Sequence, residues 1–369
     1  MKILITGAKG FIGQNLTVQL RNQGYYDLYE FDLDTEPSML DVFCRDADFV
    51  FHLAGVNRPK VESEFMEGNF GFTTVLLESL KRHANKCPVM ISSSAQAALD
   101  NPYGRSKKAG EDLAFAYSQE TGANVLVYRF PNVFGKWCRP NYNSVVATFC
   151  HNIARNLPIT INDENAAVNL VYIDDVVAEL INALNGKGNQ KGMYYEVQPV
   201  YSVTVGRIAE LVYSFIDIPN SLMLPDLADD FIRKLHSTYL SYLPPGRFGY
   251  PLKSHTDHRG SFTEFIKTLN GGQMSVNVSK PGVVKGNHWH NTKNEKFLVV
   301  SGKGIIRLRQ IHSDEVIEYR VSGDNPVVVD IPAGYTHNIE NLGDTDMVTV
   351  MWANECFDPE KPVTYYMEV

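Results

Sequence analysis

The sequence predicts an α/β doubly wound parallel sheet followed by an all-β barrel, and three observations predict it. Short aliphatic runs alternate with helical patterns up to about residue 240; Pro244-Pro245-Gly246 and Pro251 then interrupt any helix; beyond them Val, Ile, Thr and Gly alternate in short runs with almost no helical period. The domains expected are therefore residues 1–243, a linker at 244–251, and residues 252–369. A chain of 369 residues has room for two cores at roughly 150 residues per domain.

In chain order, the first-domain strands are expected at Ile3 to Thr6, Leu28 to Asp32, Phe49 to Leu53, Val89 to Ser92 and Val125 to Phe130. Crossover helices fall between them, among them Asn69 to Ala84 and Ser106 to Glu120, where apolar residues recur at three and four. The formal charge is −8, from 34 Lys and Arg against 42 Asp and Glu, which leaves no basic field to hold a nucleic acid. No apolar stretch approaches the roughly 18–20 residues a membrane helix needs, and MKILITGAKG lacks the apolar segment and small-residue cleavage site of a secretory leader. Cys44, Cys87, Cys138, Cys150 and Cys356 are odd in number and never spaced C-x-x-C, so a soluble protein of a reducing, cytoplasmic compartment is expected.

Gly7-Ala8-Lys9-Gly10-Phe11-Ile12-Gly13 follows the first strand and opens a helix. In that context Gly7 permits a tight turn, Gly10 lets backbone N–H groups approach a pyrophosphate, and Gly13 lets helix press on strand. Asp32 ends the second strand, where a carboxylate can hold the ribose hydroxyls of an adenosine. Lys9 could meet a 2′-phosphate, whereas Asp32 and Asp34 would repel one; a biosynthetic reduction favours NADPH, and NADH stays open. Tyr103-x-x-x-Lys107 puts a phenol and an ammonium one helical turn apart, a spacing at which the cation is expected to ease ionisation of the phenol and make it a proton shuttle. Ile91-Ser92-Ser93-Ser94 closes a strand just upstream and offers hydroxyls to a substrate oxygen.

Over residues 1 to about 240 these phrases resemble the extended short-chain dehydrogenase/reductase family, whose sheet is of Rossmann type. His52-Leu53-Ala54-Gly55, Arg129-Phe130-Pro131-Asn132-Val133-Phe134-Gly135 and Val171-Tyr172-Ile173-Asp174-Asp175-Val176-Val177 agree with it. The resemblance implies that Ser94, Tyr103 and Lys107 are catalytic, with Tyr103 the acid, Lys107 also touching the nicotinamide ribose, and Ser94 chosen over Ser93 as the third serine before alanine. It implies further that Leu53, Ala54 and Gly55 lie along the cofactor and that Asn132 meets a sugar nucleotide.

In the second domain His288 and His290 alternate on one strand face, Glu295 begins the next strand, and His337 arrives from a distant one, among Gly282, Gly302, Pro332 and Gly334. Three imidazoles and a carboxylate suit a divalent transition metal; zinc, nickel, iron and manganese all accept that shell, and zinc is the expectation. The spacing resembles both motifs of the cupin superfamily, a jelly-roll barrel, although Pro326 stands where a glycine opens the second motif. Asp257-His258-Arg259-Gly260-Ser261-Phe262-Thr263-Glu264 is similar to a phrase of deoxysugar-nucleotide 3,5-epimerases, which implies that Arg259 and Glu264 bind substrate, Arg259 at the diphosphate. Lys285-Gly286-Asn287-His288 resembles the phrase carrying their catalytic histidine. A metal-bound His288 has no lone pair for a proton, so Lys296 or Tyr335 is the candidate base, or the metal polarises the keto oxygen.

The two halves together resemble the bifunctional capsular polysaccharide synthesis enzymes of the CapF type. That resemblance implies epimerisation at C3 of a UDP-4-keto-6-deoxy-N-acetylhexosamine and reduction at C4 with NADPH; a homodimer is expected because extended reductases and cupins both often pair. Two other readings compete: a reductase or dehydratase whose cupin is only structural, and a sensor that binds NADPH or a sugar without turnover.

Overall fold

A computed structural model describes residues 1–358, 360 and 362–369. It divides into two compact units, Met1–Val212 with Lys234–Leu243, and Tyr213–Arg233 with Pro244–Val369. The excursion Tyr213–Arg233 thus groups with the second unit, whereas the sequence puts all of 1–243 in the first domain. Backbone pairing accounts for it: Met223 bridges Lys267 in parallel, Lys267 N donates to Leu222 O at 2.8 Å, and Leu224 N donates to Lys267 O at 2.8 Å.

The chain opens with β1 (Ile3–Thr6), α1 (Phe11–Asn22), β2 (Leu28–Phe31), α2 (Met39–Asp46) and β3 (Phe49–His52). Next come α3 (Ser63–Phe65), a π-helical turn at Met66–Gly71, α4 (Phe72–Arg82), β4 (Val89–Ser94), a 3-10 turn at Ala95–Ala98 and α5 (Pro102–Thr121). Then follow β5 (Val125–Phe130), β6 (Asn132–Phe134), α6 (Val145–Ile153), β7 (Ala167–Tyr172), α7 (Ile173–Leu184), β8 (Gln190–Lys191), β9 (Tyr194–Tyr195) and β10 (Tyr201–Thr204). Helices α8 (Val205–Ile216), α9 (Ile218–Ser221) and α10 (Asp230–Ser241) precede the β-rich portion.

One sheet runs β2-β1-β3-β4-β5-β9-β8, parallel except between β8 and β9, and a smaller one runs β10-β7-β6. Strand β1 shows why the sequence reads as an unbroken aliphatic run. Ile3 and Ile5 join Leu16 and Leu20 of α1 and Val176 and Leu180 of α7 in one core, while Leu4 joins Leu76, Leu77 and Leu80 of α4 and Tyr117 of α5 in the other. The chain order reverses across β1, with β2 on one side and β3 on the other, and that switch leaves a crevice beyond the strands' carboxyl ends. Helix α5 starts one turn before the expected Ser106, because the Asn101 side chain caps it at Gly104 N (2.8 Å) and Pro102 is preset for its first position.

The second unit carries β11 (Ser254–Asp257), β12 (Gly260–Thr268), β13 (Gly272–Ser279), β14 (Val284–His290), β15 (Glu295–Ser301) and β16 (Lys303–Gln310). It continues through β17 (Val316–Ser322), β18 (Val328–Ile331), β19 (Tyr335–Asn341), β20 (Met347–Ala353) and β21 (Thr364–Tyr366). They form two antiparallel sheets, β11-β12-β13-β20-β15-β18 and β17-β16-β19-β14-β21, the all-β fold expected. Phe297, Val299, Ile306, Leu308, Val329, Ile331 and Ile339 make its apolar core. Strand β13 instead buries Gln273, Ser275, Asn277 and Ser279, so part of the interior is polar.

Candidate functional site

In the first unit, Gly7 takes φ 71°, and a Cβ there would meet Ala54 N at 2.7 Å; one on Gly13 would meet Gly7 O at 2.2 Å. Strand end, loop and helix start are therefore pressed together as closely as backbone allows. Gly10 caps α1 with no side-chain hydrogen bond, and the first turn holds no acidic residue. The Phe11 and Ile12 N–H groups consequently face outward uncapped while their side chains pack on the core, an arrangement that fits a pyrophosphate. Asp32 accepts from Lys9 N at 2.7 Å and from Leu33 N at 2.8 Å, fixing its carboxylate beside the loop, and the Lys9 ammonium pairs with Asp34. Leu53 N donates to Thr6 O at 3.0 Å, which brings Leu53, Ala54 and Gly55 past the same crevice.

Three consecutive residues of β4 meet three successive turns of α5. Ser94 lies near enough to Tyr103 to favour the ionised phenol, the Ser92 carbonyl accepts from Lys107 Nζ at 3.1 Å, and the Ser93 hydroxyl donates to Glu111 at 2.6 Å. Lys107 Nζ stands 5.9 Å from the centre of the Tyr103 ring. Burial lowers the Lys107 ammonium to about 8, opposed by Glu111. Burial also raises the Tyr103 phenol, and neighbouring Ser94 only partly offsets this. That reverses the expected direction: desolvation dominates, and Lys107 is not among the groups that shift the phenol.

Glu111 was not among the sequence candidates. It is 0% exposed and accepts from Arg129 Nε at 2.8 Å and Arg129 Nη2 at 2.6 Å, with the Tyr194 hydroxyl at 3.3 Å. Its signal was the Tyr-x-x-x-Lys spacing continued by one more turn. Asn69 was also missed. Its Nδ2 donates to Ser106 Oγ at 2.9 Å, and a Cβ on Gly55 would meet Asn69 Oδ1 at 2.7 Å and Lys107 Nζ at 2.9 Å. Beneath them burial lowers His52 to about 3, leaving it a neutral link between Thr6 (2.7 Å) and Thr73 (2.9 Å). Asn132 lies exposed on β6, in the smaller sheet, with its amide on Asn169 O at 3.3 Å.

In the second unit a β-bulge builds the histidine cluster. Register shifts between Gly286 (φ 108°) and His288, with Asn287 at φ 59°, so that His288 comes directly opposite His337. His288, His290, Glu295 and His337 offer ligand atoms all within 4.8 Å of one another. His290 Nδ1 lies 2.9 Å from Val363 O, to which it donates when Nδ1 carries the proton, leaving the Nε2 lone pair facing the cluster. Glu295 Oε2 lies 3.2 Å from His337 Nε2 and 3.6 Å from His290 Nε2. His290 Nε2, His337 Nε2 and Glu295 Oε2 are buried without hydrogen-bond partners, the condition a divalent cation would relieve. Burial, with the neighbouring imidazoles, lowers His288 to about 4; at Glu295 burial acts the other way, but His290 and His337 hold the carboxyl well below the usual range.

The cluster borders a cavity of about 740 Å³ that also takes in Arg259, Glu264, Asn277, Lys285 and Lys293. Arg259 is clamped to Asp257 at 2.7 Å and 2.9 Å, and Glu264 pairs with Lys267 at 3.2 Å. Lys296 does not face this cavity. Alternation along β15 turns Glu295 and Phe297 inward and Lys296 outward, where it pairs with Asp330 of β18, so it cannot serve there as a base. Tyr335 packs against the apolar core and is likewise outside the cavity lining.

Parallel sheet, glycine loop and the Ser-Tyr-Lys group beside it define a class, the dinucleotide-dependent epimerases and dehydratases. The chain belongs to the NAD dependent epimerase/dehydratase family, which it matches over residues 3–197. Residues 255–365 match the polysaccharide biosynthesis C-terminal domain. Along its whole length it is similar to the capsular polysaccharide assembling protein CapF from Staphylococcus aureus, with a TM-score of 0.94, 54% identity and 100% of both chains covered. A structure of CapF with the inhibitor 3-isopropenyl-tropolone superposes with a TM-score of 0.89 at 50% identity, again over 100% of both chains. The UDP-2-acetamido-2,6-beta-L-arabino-hexul-4-ose reductase of Pseudomonas aeruginosa is 43% identical over 369 residues, 100% of this chain and 99% of that one. Among the described residues no helix is long and apolar enough to cross a membrane, and the five cysteines are free.

Proposed function

We propose that this chain acts on a UDP-linked 4-keto-6-deoxy-N-acetylhexosamine, inverting C3 in the second unit and reducing the C4 ketone with NADPH in the first. The product would be the N-acetyl-L-fucosamine precursor used in capsular polysaccharide synthesis, made in the cytoplasm by a homodimer. The observation that carries the reading is the meeting of β4 with α5, where Lys107 Nζ reaches the Ser92 carbonyl at 3.1 Å and stands 5.9 Å from the centre of the Tyr103 ring. The full-length similarity to a 4-ketose reductase supports the same substrate class.

A reduced nicotinamide would supply the hydride. The chain's part is to hold the ketone oxygen at Ser94 and Tyr103, donate the phenol proton to it as charge develops, and keep Lys107 as a counter-charge to the phenolate that remains. Gly7 to Gly13 with the bare start of α1 would seat the pyrophosphate, Asp32 the adenosine ribose, Lys9 a 2′-phosphate once released from Asp34, and Asn132 the sugar nucleotide.

In the second unit His288, His290, Glu295 and His337 would hold a divalent metal such as zinc, and its chemistry there would be Lewis-acid polarisation of an oxygen. Arg259 and Glu264 would bind the nucleotide end of the substrate. The C3 hydrogen of a 4-keto sugar is acidic because its carbanion is an enolate, and a polar cavity lined with cations is where such charge is stabilised. Incubation of the full chain with a UDP-4-keto-6-deoxy-N-acetylhexosamine and NADPH, followed by NMR of the ring, tests the reading. A product inverted at C3 and reduced at C4 is expected; oxidation of NADPH with C3 unchanged refutes the epimerase half, and no oxidation refutes the reductase half.

A further inference from the structure

The outward turn of Lys296 leaves the second-unit cavity without its expected base, and the charged groups along the wall are mostly spoken for. Arg259 is paired with Asp257 and Glu264 with Lys267. Lys285 donates to Asn277 Oδ1 at 2.8 Å and Val278 O at 2.7 Å, and His288, His290, Glu295 and His337 form the cluster. His255 is exposed. Lys293 differs from all of these. It sits in the turn between β14 and β15, three residues after His290 and two before Glu295, and is only 6% exposed. It lines the cavity, with its Nζ 6.0 Å from the ring centre of Phe357, another lining residue. Among the described residues nothing donates to, accepts from or ion-pairs with that nitrogen.

Buried lysines are held by an anion or by acceptors. One without either, on the wall of a cavity large enough for a sugar, has its partner on the ligand. We propose that Lys293 is a catalytic residue of the second unit, its ammonium donating a hydrogen bond to the C4 oxygen of the substrate as that oxygen becomes an enolate. The inference rests on the C3-epimerase reading and adds the group that receives the charge. In the step concerned the C3–H bond breaks, its electron pair becomes the C3–C4 double bond, and the carbonyl π pair moves onto oxygen. The proton passes to a carboxylate or imidazole of the cavity wall, and protonation of C3 on the opposite face reverses the electron flow. Lys293 exchanges no proton in this account; it supplies positive charge where negative charge accumulates.

The test is deuterium uptake at C3 in deuterium oxide, followed by NMR on a UDP-4-keto-6-deoxy-N-acetylhexosamine without NADPH, using the full chain. Native protein, Lys293→Met and Lys293→Arg are compared, with metal content measured on each. Loss of one preorganised donor to an oxyanion slows reaction about 100- to 1,000-fold, which is the loss expected for Lys293→Met, with Lys293→Arg retaining a clearly larger rate and all three binding equal metal. Uptake by Lys293→Met within about threefold of native, equal loss in both variants, or loss accompanied by loss of metal overturns the assignment. Absence of uptake by the native protein instead sinks the epimerase reading on which it stands.

Discussion

Replacing Glu111 by Gln keeps the shape of the side chain and removes its charge from a fully buried position. Four donors converge on that carboxylate: Ser93 at 2.6 Å, Arg129 through two nitrogens at 2.8 Å and 2.6 Å, and Tyr194 at 3.3 Å. Removing one partner of a buried pair costs about 3–5 kcal/mol, chiefly because the other charge is left uncompensated. The Arg129 side chain keeps 24% of its surface, so water reaches it, and the lower end, about 3 kcal/mol, applies. For a unit of this size that lowers Tm by roughly 6–12 °C. Calorimetry of the full chain reads the shift. The double variant Glu111→Gln, Arg129→Met should recover much of it, since the orphaned cation is gone as well. A first-unit transition within about 2 °C of native, or a double variant less stable than the single one, would refute the reasoning.

Tyr103→Phe should lower the rate of NADPH oxidation about 100-fold or more while leaving NADPH affinity within about twofold, as read by stopped-flow and fluorescence titration; undiminished oxidation would remove Tyr103 as the acid. With burial placing Lys107 near 8, the ammonium form predominates below that pH, so single-turnover reduction should fall as pH rises through about 8. A flat profile between pH 6 and 10 would dissociate the charge of Lys107 from the step. For the second unit, His290→Ala should bind substoichiometric metal by elemental analysis; full occupancy in that variant would discredit the ligand group.

What could be read from the sequence, and what could not, divides along a physical line. The placement of Gly7, Gly13, Tyr103 and Lys107 is legible because it depends on spacing within one loop or one helix, and local spacing survives into the fold. The histidines were found for a similar reason, since alternation along a strand is a local rule. Lys296 failed by one residue: a strand's faces have a period of two, and nothing local says which face is inside. Lys293 lies in a turn, where no period applies, and its isolation is visible only once the walls around it are assembled. The ionisation of Tyr103 was misjudged because burial is a property of the whole packing, not of the neighbour four positions on. The excursion Tyr213–Arg233 escaped notice because it is anchored by main-chain pairing to Lys267, which carries no side-chain signature.

The alternation along β14 has a consequence for comparing related chains. Deleting Trp289 would keep every histidine and the glutamate in the primary structure, yet would put His290 on the opposite strand face from His288, so that the two could no longer both face His337. Metal affinity can therefore vanish through a length change with no change in donors. An inventory of residue types would call such a protein competent, and only the spacing from His288 to His290 would reveal that it is not.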